Sequence, residues 1–245
     1  MKKTGLTCTA IFILLAHCFF AQDAGRKNVI KLNLLALGAT NISGQYERAL
    51  HKNFSIALQA GFIPSRGLPG VTPPDDFKDI KLSGVNITPE LRFYPGAKVE
   101  KQAPHGFYLN LYFRYAKYDA SGHFDYSDSS YYPVGPVISR STPVSLTYSG
   151  VGLGLGIGYQ WIIKNRISVD WWVVGFHYGT AKLDATVDAT GLDKQEVKKQ
   201  LDQTDVKVPG VEVTKSVTIS GNDVLMSLGF PFVGLRTGFS LGICF

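Results

Sequence analysis

The chain has 245 residues, and its 25 Lys and Arg against 19 Asp and Glu give a formal charge of +6, part of which sits in Lys2 and Lys3. The remaining basic residues are scattered without a stripe, which excludes a nucleic-acid interface. Hydrophobic residues make up 45% of the chain, yet past the N-terminal leader no stretch reaches the roughly 20 apolar residues of a membrane helix.

The chain opens with "MKKTGLTCTAIFILLAHCFFAQDAGRK". A short basic region, an apolar core too short to span a bilayer, and small or polar residues after it form a secretory leader. The leader is expected over residues 1–21, with the cut between 18 and 24, and one domain is expected over 22–245. Acylation at Cys18 is disfavoured by His17 before it and two phenylalanines after it. Removal of the leader takes Cys8 and Cys18 with it and leaves Cys244 alone, so no internal disulfide is expected. No metal or cofactor site is expected either, because the five histidines lack paired ligand spacing.

From residue 28 onward the chain alternates apolar and small or polar residues, the period of a two-faced strand. In chain order the alternating segments are 28–37, 41–50, 54–62, 85–94, 107–116, 150–159, 167–173 and 233–245. Most come close to the 9–11 residues with which a tilted strand crosses a bilayer. The sixth, "GVGLGLGIGYQW", resembles a phosphate loop only superficially. Its glycines at 150, 152, 154, 156 and 158 alternate strictly with Val151, Leu153, Leu155, Ile157 and Tyr159. A phosphate loop instead has unequal glycine spacing in a turn that opens a helix.

The connections are asymmetric. "HKN" and "KNR" are tight and "PGAKVEKQAPHG" is moderate, whereas 64–82, 119–146 and 180–230 are long. Short turns at one end and long loops at the other characterise outer-membrane barrels. The faces decide what surrounds the barrel. A soluble barrel turns its apolar face inward, but here the second face of Gly, Ser, Asn, Gln and a few charges is too sparse to solubilise an exterior. It reads as a lumen, with Lys31, Glu47, Glu90, Arg92, Arg114, Asp170 and Arg236 balancing one another inside. The glycines would leave room for long side chains from the opposite wall. Tyr46, Tyr94, Tyr159, Trp161, Trp171 and Tyr178 are expected in interfacial girdles. The fold class is therefore all-β, an eight-stranded antiparallel up-and-down transmembrane barrel, or ten strands if 206–230 adds a hairpin.

The closing "GFSLGICF", with Phe239, Leu241, Ile243 and Phe245, resembles the terminal signal by which barrel-assembly machinery recognises its clients. As a whole the chain looks like the small OmpA/OmpX-type barrels. Its segments "VIKLNLL", "GQYERAL", "ELRFYPG" and "GLRTGFSLG" resemble a bacterial family known only as a domain of unknown function. The resemblance implies an outer-membrane barrel without an established biochemical role, and no peptidoglycan-binding domain is expected after Phe245.

No catalytic residues are assigned. His177 and His123 are the candidates for a lipid-modifying enzyme, but neither is accompanied by a serine elbow or an orienting acid. Eight strands leave little water path, so a solute channel ranks third. The favoured role is structural or surface-interactive: outer-membrane lipid around the barrel, and an extracellular protein or glycan reached through 119–146 and 180–230. Within the last segment "TGLDKQEVKKQLDQ" predicts a short helix capped by Thr190, with Leu192, Val197 and Leu201 near one face. Lys194, Lys198 and Lys199 form its basic side, a solvated face in preference to a headgroup contact.

Overall fold

The structure is a computed structural model that describes residues 27–38, 40–67, 75–96, 104–128, 138–206 and 211–245. The leader and the central parts of two connections, 68–74 and 129–137, lie outside the described residues. Strands β1 (Asn28–Asn33), β2 (Ile42–His51), β3 (Phe54–Gly67), β4 (Phe77–Phe93), β5 (Gly106–Asp128), β6 (Ile138–Ile163), β7 (Ile167–Asp188), β8 (Thr214–Ser220) and β9 (Asp223–Cys244) form one antiparallel sheet. Their order is β1-β2-β3-β4-β5-β6-β7-β9-β8, and pairing of β1 with β9 closes it into an eight-stranded ring. At the seam, Asn28 donates its N–H to the Phe245 carbonyl at 3.1 Å and accepts from the Phe245 N–H at 2.9 Å.

The ring is a barrel turned inside out with respect to a soluble one. Along β6, Leu153 and Leu155 point outward at 59% and 67% exposure, while Gln160 on the alternate face is fully buried. Ile30, Leu58, Leu109, Phe176 and Leu241 continue this exposed apolar belt around every side. In water such a surface would be a severe liability; facing acyl chains it is the expected exterior of an outer-membrane barrel.

At the lower end the turns are tight. The β6–β7 turn places Lys164 and Asn165 at φ of 50° and 53°, with the Arg166 N–H donating to the Ile163 carbonyl. Two successive left-handed residues match the twist of a two-residue hairpin. At the upper end β4 to β7 and β9 continue past the belt, and the polarity of the two faces exchanges. Outward on β7, Trp171, Phe176 and Tyr178 give way to Thr180, Lys182, Asp184 and Thr186. Leu183, Ala185 and Val187 now register on the inner side with Leu228, Met226 and Val224 of β9. The extension thus has the polarity of a soluble sheet.

Several expectations change. The first strand stops at Asn33 and not at residue 37: Leu34–Gly38 forms a short helix, α1, begun by the Asn33 side chain accepting from the Ala36 N–H at 3.0 Å. Such capping satisfies an otherwise orphaned donor. The long connections are largely strand, which also places His123 on β5, in register with Pro143. The segment 206–230 adds one strand, β8, beyond the ring; β8 and the start of β9 form a hairpin with Thr214 opposite Gly229. The predicted helix exists as α2 (Lys194–Gln203), but its cap is Asp193, which accepts from the Gln195 and Glu196 N–H groups. Thr190 is engaged by Asp188. Leu192, Val197 and Leu201 pack against Ala189, Val217 and Val224, so α2 roofs the inner face of the extension. Of its lysines, Lys194 donates to Gly221 and Asn222, Lys198 pairs with Asp202, and Lys199 lies 3.7 Å from Glu196.

Candidate functional site in the barrel lumen

The inward positions of the lower barrel converge on a dry ionic cluster. Lys31 of β1, Glu47 of β2, Glu90 and Arg92 of β4, and Asp170 of β7 have side chains with no solvent exposure. Arg236 of β9 joins them at 7%. Lys31 Nζ donates to Glu47 and, at 2.6 Å, to Asp170. Arg92 reaches Asp170 at 2.7 Å, Glu90 at 2.9 Å and Glu47 at 3.3 Å. Arg236 Nη2 donates to Glu90 at 2.5 Å. These three cations and three carboxylates are balanced, the condition under which charges tolerate removal from water.

Neutral donors and acceptors complete the shell. Tyr94 and Ser55 donate to Glu47, while Tyr108 and Trp172 donate to Asp170. Gln45, Gln59, Asn110 and Gln160 bond the remaining atoms. Every strand of the ring supplies at least one of these groups, so the cluster crosses the lumen from wall to wall. The guanidinium of Arg92 also lies 4.4 Å above the Tyr108 ring, and that of Arg236 lies 4.0 Å from the Trp172 ring, positions favourable for cation–π attraction.

The glycine face of β6 serves this packing, though not by admitting side chains from the opposite wall. Tyr108 registers directly with Gly158 and Tyr112 with Gly154, and both tyrosine rings closely approach their glycines. A Cβ at 158 would stand 2.3 Å from the Tyr108 ring, and one at 154 would stand 2.5 Å from the Tyr112 ring. Tyr94, expected in a girdle, is instead fully buried in the lumen, whereas Tyr46, Trp161, Trp171 and Tyr178 are exposed on the outside. Tyr94 follows Arg92 by two residues, so its inward parity was already legible; its position at a strand end obscured it.

Arg114 of β5 stands apart from the cluster. It lies above it, and among the described residues no carboxylate is within ion-pair range; its contact is the Tyr118 hydroxyl at 3.4 Å. Around it are Tyr112, Tyr118, Tyr148, His177 and Phe232, linked ring to ring. His177 lies within β7 and faces the lumen at 7% exposure. Its Nδ1 is 3.3 Å from the Tyr112 hydroxyl, and among the described residues no serine or acid is bonded to it. Phe239, Leu241 and Ile243 of the closing strand all point outward into the belt.

No curated protein matches the chain in sequence. Among solved structures, the outer membrane protease OmpT from Escherichia coli is similar, with a TM-score of 0.37 and 12% identity. That likeness covers 89% of this chain and 92% of OmpT. A family model described as "Protein of unknown function (DUF3575)" matches residues 9–208. The inverted-polarity ring and plugged lumen are those of an outer-membrane-type β-barrel, and with that match over most of its length the chain belongs to the DUF3575 family.

Proposed function

We propose that this chain is a non-enzymatic protein of the bacterial outer membrane, delivered by a cleaved leader, with a structural or surface-interactive role. The carrying observation is the ionic plug: all eight strands of the ring contribute to it, and it has no side-chain exposure through most of its charges. A lumen filled in this way supports rigidity over transport. The belt would be surrounded by outer-membrane lipid, and the closing strand would be read by barrel-assembly machinery.

The surface-interactive half of the reading rests on the upper extension. Its outward face carries a groove of about 690 Å³ lined by Asp79, Lys81, His123, Ser145, Thr186 and Asp188, among others. Polar, mixed-charge walls suit an extracellular protein or glycan. The test combines heat modifiability of the detergent-folded protein on a semi-native gel with protease treatment of intact cells. A compact form that shifts on boiling, cut only within 68–76, 129–137 or 189–213, is expected. Cuts in the β6–β7 turn of intact cells would reverse the orientation, and conductance in planar bilayers would overturn the closed lumen.

A further inference from the structure

Above the plug, the inward residues form rungs that pass from strand to strand. One rung runs Arg114, Gly152, Gly179, Phe232; the next runs Asn86, Ala116, Gly150, Ala181, Phe230. Higher still come Tyr118, Tyr148, Leu183 and Leu228, then Ala120, Leu146, Ala185 and Met226. The inner wall therefore changes from a cation at its base to an apolar surface above. That surface is not fully covered: Leu146 points inward and is still 41% exposed. The roof formed by α2 reaches Met226, Val224 and Val217 at one side of it.

Two buried side chains flank Arg114 on β4. Asn86 and Thr88 are 1% and 0% exposed. Among the described residues neither the amide atoms of Asn86 nor the hydroxyl of Thr88 has a hydrogen-bond partner. Buried polar groups are nearly always paired, so the unpaired donors Asn86 Nδ2 and Thr88 Oγ1, on the strand next to Arg114, leave room for an added acceptor, whereas the unpaired Oδ1 atoms of Asn86 and Asn41 are acceptors themselves.

The same level carries an interruption in the strand pairing of the barrel wall. On its β1 side, β9 pairs with β1 only from Ser240 to Cys244 and with β8 only from Asp223 to Gly229. Between these limits, 230–239, no strand adjoins that edge among the described residues, and the short helix α1 packs against β9 where β1 ends; across the interval β3 runs on from Ile63 to Gly67 without β2 beside it. The neighbouring outward residues Val233 and Leu235 are 73% and 66% exposed, among the most exposed of the belt. Phe232, on the Arg114 rung, falls within this interval. At the height of the cation this side of the chamber wall is therefore built without strand pairing, and α1 supplies part of the cover that lipid-facing backbone needs.

We propose that this chamber binds a long-chain carboxylate drawn from the membrane. The carboxylate would accept from the Arg114 guanidinium, with Asn86 Nδ2 and the Thr88 hydroxyl as further donors. The alkyl chain would lie along Phe230, Leu183 and Leu146. Charge selects the headgroup and the exposed inner wall selects the tail. The proposal adds a ligand to the lumen and does not depend on what the outer surface of the extension recognises.

The experiment uses the full mature protein folded into phosphatidylcholine nanodiscs, its fold verified by gel mobility. The probe is a photoreactive sixteen-carbon carboxylate, compared with the alcohol of equal length, and crosslinks are mapped by mass spectrometry. Carboxylate crosslinks within 144–148, 183–185 and 226–232 are expected. R114Q should reduce them about tenfold, as for a charge-assisted pair left unmade, while R114K and the remote K164Q retain them. Equal labelling by the alcohol would reduce the chamber to an apolar cavity and overturn the proposal. Labelling confined to the outer belt, or unchanged in R114Q, would overturn it as well. If R114Q does not fold, the carboxylate–alcohol comparison on the unaltered protein decides alone.

Discussion

Replacing Arg92 with Met tests whether the lumen is a dry plug or a wet pore. Arg92 is the centre of the cluster, bonded to Asp170, Glu90, Glu47 and Gln45 without solvent exposure. Its loss leaves Glu47 and Asp170 sharing Lys31, with three carboxylates against two cations. Breaking a buried ionic group by removing one partner costs about 3–5 kcal/mol, against about 0–1 kcal/mol for a solvated pair. D170N removes the opposite charge with little change of shape and should cost a similar amount. The R92M/D170N double variant restores balance, since Lys31 keeps Glu47 and Arg236 keeps Glu90. It should therefore be less destabilised than the sum of the singles by about 2 kcal/mol. Equilibrium urea unfolding in detergent micelles, read by loss of the compact gel form, measures all four proteins. If R92M unfolds within about 1 kcal/mol of the parent, the lumen charges are screened by water and the plug argument fails.

Three further outcomes follow from the same geometry. Leu155, 67% exposed on the belt, should lose about 2–4 kcal/mol as L155R in a bilayer, the cost of a cation near the lipid midplane; no loss would show that this face is not against lipid. G158V should prevent the compact form on gels, because its Cβ would lie 2.3 Å from the Tyr108 ring and 2.7 Å from the Trp171 carbonyl, and G158A should be impaired in the same sense. At the upper end, hydrogen bonds from the Thr190 hydroxyl and N–H hold the Asp188 carboxyl below its usual range. A depressed carboxylate stabilises the fold above its unfolded value and loses that contribution as pH falls through the folded one. Amide protection over 189–193, taken relative to the intrinsic exchange rate at each pH, should therefore fall on acidification below about pH 4, the ordinary carboxylate range, and D188N should lack that acid-dependent step.

The ring was legible in the sequence because period two is local: Val151, Leu153 and Leu155 alternate with glycine whatever they pair with, and "KNR" can only be a tight turn. The sign of the faces was legible too, since the polar face holds too few charges to solubilise anything. The exchange of polarity at the upper end was harder to see. Leu183, Ala185 and Val187 still alternate with polar residues, and no local signal distinguishes an inward leucine from a lipid-facing one once a bulge such as that at Trp172–Gly175 resets the phase. The segments that looked like loops were strands for this reason.

The candidate site divides in the same way. Sequence parity alone placed Lys31, Glu47, Glu90, Arg92, Asp170 and Arg236 on one face, because inward direction depends only on position along a strand. Which of them meet depends on stagger between strands distant in the chain. That is how Lys31 finds Asp170, 139 residues away, and how Arg114, equally inward, is left one level above every carboxylate of the plug. Register around a closed ring is a property of all its pairings at once, and no single strand carries it.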